Sequence, residues 1–133
     1  MGVQSCVKII NEWDIVAARQ LGRNFAKELG FGTVDQARIT TAISELARNI
    51  YLYAGQGNVS LEKLLVNGKS GLKIIAEDKG PGIQDIRRVM EDGYTTSGGL
   101  GAGLPGAKRL MDNFDIESIP GEGTKISAIK WLR

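Results

Sequence analysis

The chain contains no histidine, one cysteine and three prolines in 133 residues. Each shortage closes off chemistry. Without histidine there is no Ser-His-Asp triad, no HExxH metal site and no phospho-accepting imidazole. A single cysteine, Cys6, permits neither an internal disulfide nor a cysteine-rich zinc site, and a Cys–His nucleophile pair is excluded too. In SCVKII, Cys6 reads as a small buried strand residue. No apolar run reaches the ~20 residues that a membrane span needs. The opening MGVQSCVKII lacks the charged-then-apolar layout of a secretion signal. Cys6 also stands where a myristoylation signal wants Ser or Thr, so the expected address is the cytoplasm. Charge of one sign is scarce as well: Lys+Arg is 17 against Asp+Glu 15, a net +2. That argues against a nucleic-acid binder working by bulk charge. Any catalysis must run on carboxylates, amides, hydroxyls, lysine or arginine, backbone groups or a hard metal ion.

What the chain has in excess is glycine, 18 residues against a usual share of roughly 7%. The excess gathers between Gly93 and Gly106 and at Gly80 and Gly82, as expected of loops where backbone must approach something closely.

Residues 3–10 read as a strand. Asp14 is placed to cap a helix through IVAARQLGRNFAKELG, with Ile15, Ala18, Leu21, Phe25 and Leu29 on one face. Gly30 and Gly32 stop it. A second helix is expected from Thr33 or Asp35 to about Tyr53. Its stripe of Ala37, Ile39, Ala42, Ile43, Leu46, Ala47, Ile50 and Tyr53 is broad enough to pack on a sheet. NVSLEKLLV (58–66) and GLKIIAED (71–78) read as strands joined by the hairpin dipeptide Asn67-Gly68. A short helix around 84–92, the loop GYTTSGGLGAG and a helix from Leu104-Pro105 through AKRLMDNF follow. Strands near 114–119 and 125–132 close the chain across PGEGT. This order predicts one domain over 1–133, an α/β (α+β) two-layer sandwich: a mixed, mostly antiparallel sheet with helices on one face.

Several motifs carry chemistry. NGKS (67–70) resembles the end of a P-loop, but Lys63 stands where glycine is required and the segment joins two strands, so it reads as a hairpin turn. Gly101, Gly103 and Gly106 satisfy GxGxxG without the strand before it, or the acidic residue after it, that a Rossmann site needs. What remains is a glycine-rich loop running into a helix start, which offers free N–H groups and a positive dipole end to a phosphate. Glu45 and Asn49, four apart on a helix, share a face. An Asn carboxamide suits Mg²⁺, which draws its other ligands from waters and phosphates, and a nearby carboxylate can align or deprotonate an attacking hydroxyl. Asp78 ends an apolar strand beside Gly80-Pro81-Gly82, where it can accept from an exocyclic amine or simply initiate a turn. Gly121-Glu122-Gly123-Thr124 separates the last two strands as a hairpin.

In order, ELARN (45–49), DKGPG (78–82), GLGAGL (99–104) and GEGT (121–124) resemble the N, G1, G2 and G3 boxes of the GHKL ATPase/kinase superfamily, over about residues 35–133. Within it the chain is most similar to the anti-sigma-factor serine kinases. DIVAARQLGRNFAKELGFGTVDQARITTAISELARNIYLYAG and GLGAGLPGAKRLMD look like the stressosome switch kinases of that group. The resemblance implies a Bergerat ATP-binding fold with ATP and Mg²⁺ as cofactors. Glu45 would match the catalytic base and Asn49 the Mg²⁺ ligand. Asp78 would read the adenine amino group, with Gly80 and Gly82 shaping the pocket and Thr124 supporting those hydrogen bonds. The amides of Gly99, Leu100, Gly101, Ala102, Gly103 and Leu104 would hold the β- and γ-phosphates, under a lid from about Gln84 to Gly98. Two positions depart from the family pattern: Tyr53 where His is common, and Ala102 where leucine is frequent.

By the same resemblance the protein is expected to be a serine/threonine kinase that phosphorylates STAS-domain scaffold and antagonist proteins. It would then bind and activate a PP2C-type phosphatase in the general stress response. Two rival readings stand beside it. One is a module that holds ATP as a structural ligand and sequesters a partner such as a sigma factor; the other is a bare ATPase.

Overall fold

The computed structural model describes residues 4–83, Met90 and 103–133. Strand β1 (Gln4–Ile9) leads into helices α1 (Glu12–Leu29) and α2 (Thr33–Tyr53). Strands β2 (Gly57–Val66) and β3 (Lys69–Asp78) follow, then helix α3 (Gly103–Leu110) and strands β4 (Asn113–Ile119) and β5 (Gly123–Trp131).

Helix α1 begins at a cap that sequence places three residues too late. Asn11, not Asp14, is the N-cap. Its side chain accepts from the Asp14 amide at 3.2 Å, while the Asp14 carboxylate accepts from the Asn11 amide at 3.0 Å. Such a reciprocal pair satisfies two otherwise orphaned donors, which Asp14 acting as cap could not do. Gly30, at φ 97°, ends the helix, in the left-handed conformation that glycine adopts without penalty.

The sheet runs β1-β2-β3-β5-β4 and is antiparallel at every pairing. The expected sheet is mixed and mostly antiparallel; among the described strands no pair is parallel. Strand β4 points the same way as β3, but β5 lies between them. Val66 pairs with Lys69 across Asn67 (φ 52°) and Gly68 (φ 79°), the doubly left-handed turn that an Asn-Gly hairpin favours.

Strand alternation decides which face is covered. Val59 and Leu61, Leu72, Ile74 and Ala76, and Ile126 and Ala128 all turn inward. They meet Ile15, Ala18 and Phe25 of α1 and Ile39, Ile43, Leu46 and Ile50 of α2 in one core. Each fully buried Leu or Ile contributes about 1.5–3 kcal/mol. The same alternation corrects the expectation for Cys6. With Val7 and Ile9 directed inward, Cys6 and Lys8 point away from the helices and are exposed. Ala37 is exposed too, and Tyr53, at the end of α2, is 43% exposed.

Helix α3 stops at Leu110, short of the expected AKRLMDNF. The Asp112 amide bonds to the Ile129 carbonyl at 2.9 Å, and Asn113 and Phe114 already belong to β4. The helix expected around 84–92 and the glycine loop up to Ala102 lie outside the described residues. Met90 alone of that stretch is described, packed against the core. No described helix is long and apolar enough to cross a membrane.

Candidate functional site

Sheet register builds one half of the site. At the end where β3 finishes, Ile9, Gly57, Asp78, Thr124 and Ser118 stand opposite one another on five adjacent strands. Directly opposed residues in antiparallel pairs share a face, and buried Ile9 and Thr124 show that this face is the one under the helices.

Asp78 is the charged member of that row. One of its carboxylate oxygens accepts from the Gly80 amide at 2.9 Å. Burial pushes its carboxyl above the usual range, and the backbone amides of Gly80 and Thr124 pull the other way. A hollow at this end of the sheet is lined by Ala54, Gln56, Gly57, Asp78 and Lys79, together with Lys8, Asn58 and Glu77 from the row that alternates to the other face. The surrounding turns are packed backbone to backbone. A Cβ on Gly80 would lie 2.6 Å from the Ala54 Cβ, and one on Gly123 (φ 144°) would overlap the Asp78 carbonyl. The Gly121 amide donates to the Pro81 carbonyl at 2.7 Å. The GPG turn and the β4–β5 hairpin thus form one wall. The hairpin expected at 121–124 is present, and it braces Asp78.

Helix α2 supplies the other half. Glu45 is 6% exposed, a rare state for a carboxylate. Its carboxyl rises above the ordinary range through burial, against the lowering effects of the Arg48 guanidinium, 3.2 Å away, and the Gly103 backbone amide. Asn49, one turn on, is half-buried, and its carboxamide has no hydrogen-bond partner among the described residues. Gly103 and Leu104 open α3, which packs on α2, so the positive end of α3 faces Glu45.

The two halves are contiguous. Ile50, next to Asn49, reaches the position that a Cβ on Gly57 would take, and Ala54 touches Gly80. Of the residues read from sequence, Asp78, Gly80 and Thr124 meet at the end of β3, with Gly82 packed on Ile119 and Pro120. Glu45 and Gly103 meet where α3 opens against α2, Leu104 is buried in the core, and Asn49 lies one turn beyond Glu45. Gly99, Leu100, Gly101 and Ala102 lie outside the described residues, as does the expected lid apart from Met90. Sequence reading passed over Arg48 and Ser118. Arg48 was detectable three residues after Glu45 on a helix. Ser118 gains its place only through the pairing of β4 with β5.

The donor set fits a magnesium nucleotide. No group of three or more His, Cys, Asp or Glu side chains among the described residues could hold a metal ion. Asn49 could offer a divalent cation one oxygen, its other ligands coming from phosphates and water, as with Mg²⁺. Asp78 offers a free acceptor for a base edge, and Glu45 a proton acceptor beside a helix start.

Comparison with known proteins gives a family. The family described as histidine kinase-, DNA gyrase B-, and HSP90-like ATPase matches residues 34–133. Serine/threonine-protein kinase RsbT of Bacillus subtilis (strain 168) is 77% identical over 133 residues, covering 100% of both chains. An anti-sigma F factor of Clostridium acetobutylicum is 33% identical over 114 residues, 82% of this chain and 79% of that protein. Among solved structures, the RsbU and RsbW domains of Rv1364c from Mycobacterium tuberculosis match all of this chain with a TM-score of 0.67 at 16% identity; the chain spans 33% of that longer one. The mycobacterial sensor histidine kinase MprB matches 98% of this chain and 99% of its own, with a TM-score of 0.58 at 16% identity. At such identities the two structures speak for the fold.

Proposed function

The chain belongs to the histidine kinase-, DNA gyrase B-, and HSP90-like ATPase family, and from that premise we propose that it is an ATP- and Mg²⁺-dependent serine/threonine-protein kinase that works by switching partners. Its acceptors are serine or threonine hydroxyls on STAS-domain scaffold and antagonist proteins. Once released from them, it binds and activates a PP2C-type phosphatase in the cytoplasm.

The observation that carries this reading is the setting of Glu45. A buried carboxylate with a raised proton affinity sits one helical turn from a carboxamide without a partner among the described residues, and against the start of α3. Bound Mg²⁺ supplies charge neutralisation on the phosphates. Glu45 accepts the proton of the acceptor hydroxyl, or aligns that hydroxyl for in-line attack. Asp78 and the turn behind it fix the base, so the reactive end of the nucleotide is delivered to Glu45. Positioning and electrostatics carry most of a phosphoryl transfer, leaving the protein little covalent chemistry to perform.

The test is transfer of labelled phosphate from ATP to a STAS-domain partner by wild type, Glu45→Gln and Asn49→Ala. Loss of transfer in both variants is expected; wild-type turnover in both would refute the role assignment. The likeness to an anti-sigma F factor supports a second reading, an ATP-holding module that sequesters a sigma factor. Stable co-purification with a sigma factor, without transfer to any STAS domain, would favour it.

A further inference from the structure

Ser118 lies on β4, outside the four glycine and asparagine boxes, yet its hydroxyl meets three partners among the described residues. It accepts from the Ile83 amide at 2.7 Å, donates to the Gly123 carbonyl at 3.1 Å and lies 2.9 Å from the Thr124 hydroxyl. A hydroxyl has one proton and two lone pairs. The Gly123 carbonyl can only accept, and we assign the Ser118 proton to it. With that assignment Thr124 donates to Ser118 and fills its second lone pair. The direction of the Thr124 hydroxyl is thereby fixed by its neighbour.

We infer that Ser118 is a specificity-determining positioning residue that turns Thr124 into a pure hydrogen-bond acceptor and so selects purines bearing a 6-amino rather than a 6-oxo group. The inference rests on the reading of the Asp78 end as the base pocket. Thr124 and Asp78 are opposed on neighbouring strands and face the same side. With its proton committed to Ser118, Thr124 shows the pocket only lone pairs. Ionised Asp78 also only accepts, and one of its oxygens is already taken by Gly80. Two adjacent acceptors, directly or through a bridging water, welcome an exocyclic amine with its two hydrogens. They leave a 6-oxo oxygen facing acceptors with no proton between them. An unmatched polar group inside a site of this kind is the strongest source of discrimination that hydrogen bonding offers.

The test compares dissociation constants for Mg-ATP and Mg-ITP, which differ in that 6-substituent. Wild type is expected to prefer ATP. Ser118→Ala frees the Thr124 proton to turn toward the pocket, and the ITP-to-ATP ratio of dissociation constants should narrow by about three- to tenfold. Ser118→Thr, which keeps the hydroxyl, should restore the wild-type ratio. Ser118→Cys is close in volume but a poor acceptor, and carries the same expectation should the alanine chain prove unstable. In a Thr124→Val background, Ser118→Ala should leave the ratio unchanged, because the proton it would release is gone. An equal loss for both nucleotides, or the same narrowing with and without the Thr124 hydroxyl, would overturn the inference. Asp78→Asn separates the two levels. If it leaves the preference for ATP intact, the base-pocket reading itself falls; if it removes the preference while Ser118→Ala does not alter it, Ser118 alone is misassigned.

Discussion

In the proposed reaction the chemistry turns on Glu45, and the burial of this residue has consequences for both activity and stability. Glu45→Gln keeps the shape and removes the base; kcat should fall by about 10²–10⁴-fold while ATP affinity changes little. Steady-state kinetics with a protein acceptor checks this. The stability effect has a definite sign. A carboxyl raised above its ordinary 4.5 by burial means that the folded chain binds that proton more tightly than the unfolded one. The associated stabilisation is present below the ordinary value and is lost as pH rises through the folded one. Urea unfolding at a series of pH values should therefore show Glu45→Gln gaining on wild type as pH rises above the ordinary value of 4.5. Asp112 behaves oppositely. Burial would raise it, but the Trp131 amide, Arg133 and Lys130 outweigh that and lower it, so its contribution fades as pH falls. Glu45, Asn49 and Asp78 could be singled out because helical spacing and glycine punctuation survive in a bare sequence. Ser118 was not, because its neighbours come from strand register.

Among the elements, α3 depends on a device at its far end. Lys130 on β5 is 6% exposed, and its ammonium donates to the Leu110 carbonyl at 2.9 Å, with Asp35 and Asp112 each 3.9 Å away. A cation at a helix C-terminus satisfies an orphan carbonyl and complements the dipole. Lys130→Met removes the donor and leaves the two aspartates without it, and should cost about 1–3 kcal/mol. Hydrogen exchange should show the amides of 103–110 losing protection before those of the sheet. The turn behind Asp78 is equally constrained. Gly123→Ala forces a side chain onto the Asp78 carbonyl at φ 144° and should destabilise by about 1–3 kcal/mol, read as a lower urea midpoint. Periodicity made α1 and α2 legible, since their apolar stripes repeat at the helical spacing. It misplaced the end of α3 because Met111 to Phe114 continue a plausible helical pattern, while the bond from Asp112 to Ile129 commits them to the sheet. A tertiary contact overrode local preference.

For the molecule as a whole, the antiparallel order β1-β2-β3-β5-β4 sets the end of β3 against the end of α2, and the start of α3 packs on the middle of α2. Sequence could announce two layers, because helical and strand periods alternate along the chain. It could not announce the insertion of β5 between β3 and β4, which depends on long-range pairing. The central claim is that one Mg-ATP spans both halves, with its base at Asp78 and its phosphates near Asn49 and Glu45. Calorimetric titration of ATP, with and without Mg²⁺, into wild type, Asp78→Asn and Asn49→Ala tests it most directly. The account predicts one nucleotide per chain for wild type. Asp78→Asn should weaken binding by about tenfold or more under either condition, and Asn49→Ala should weaken it only when Mg²⁺ is present. Unchanged affinity in Asp78→Asn, or a loss in Asn49→Ala that ignores the metal, would contradict it.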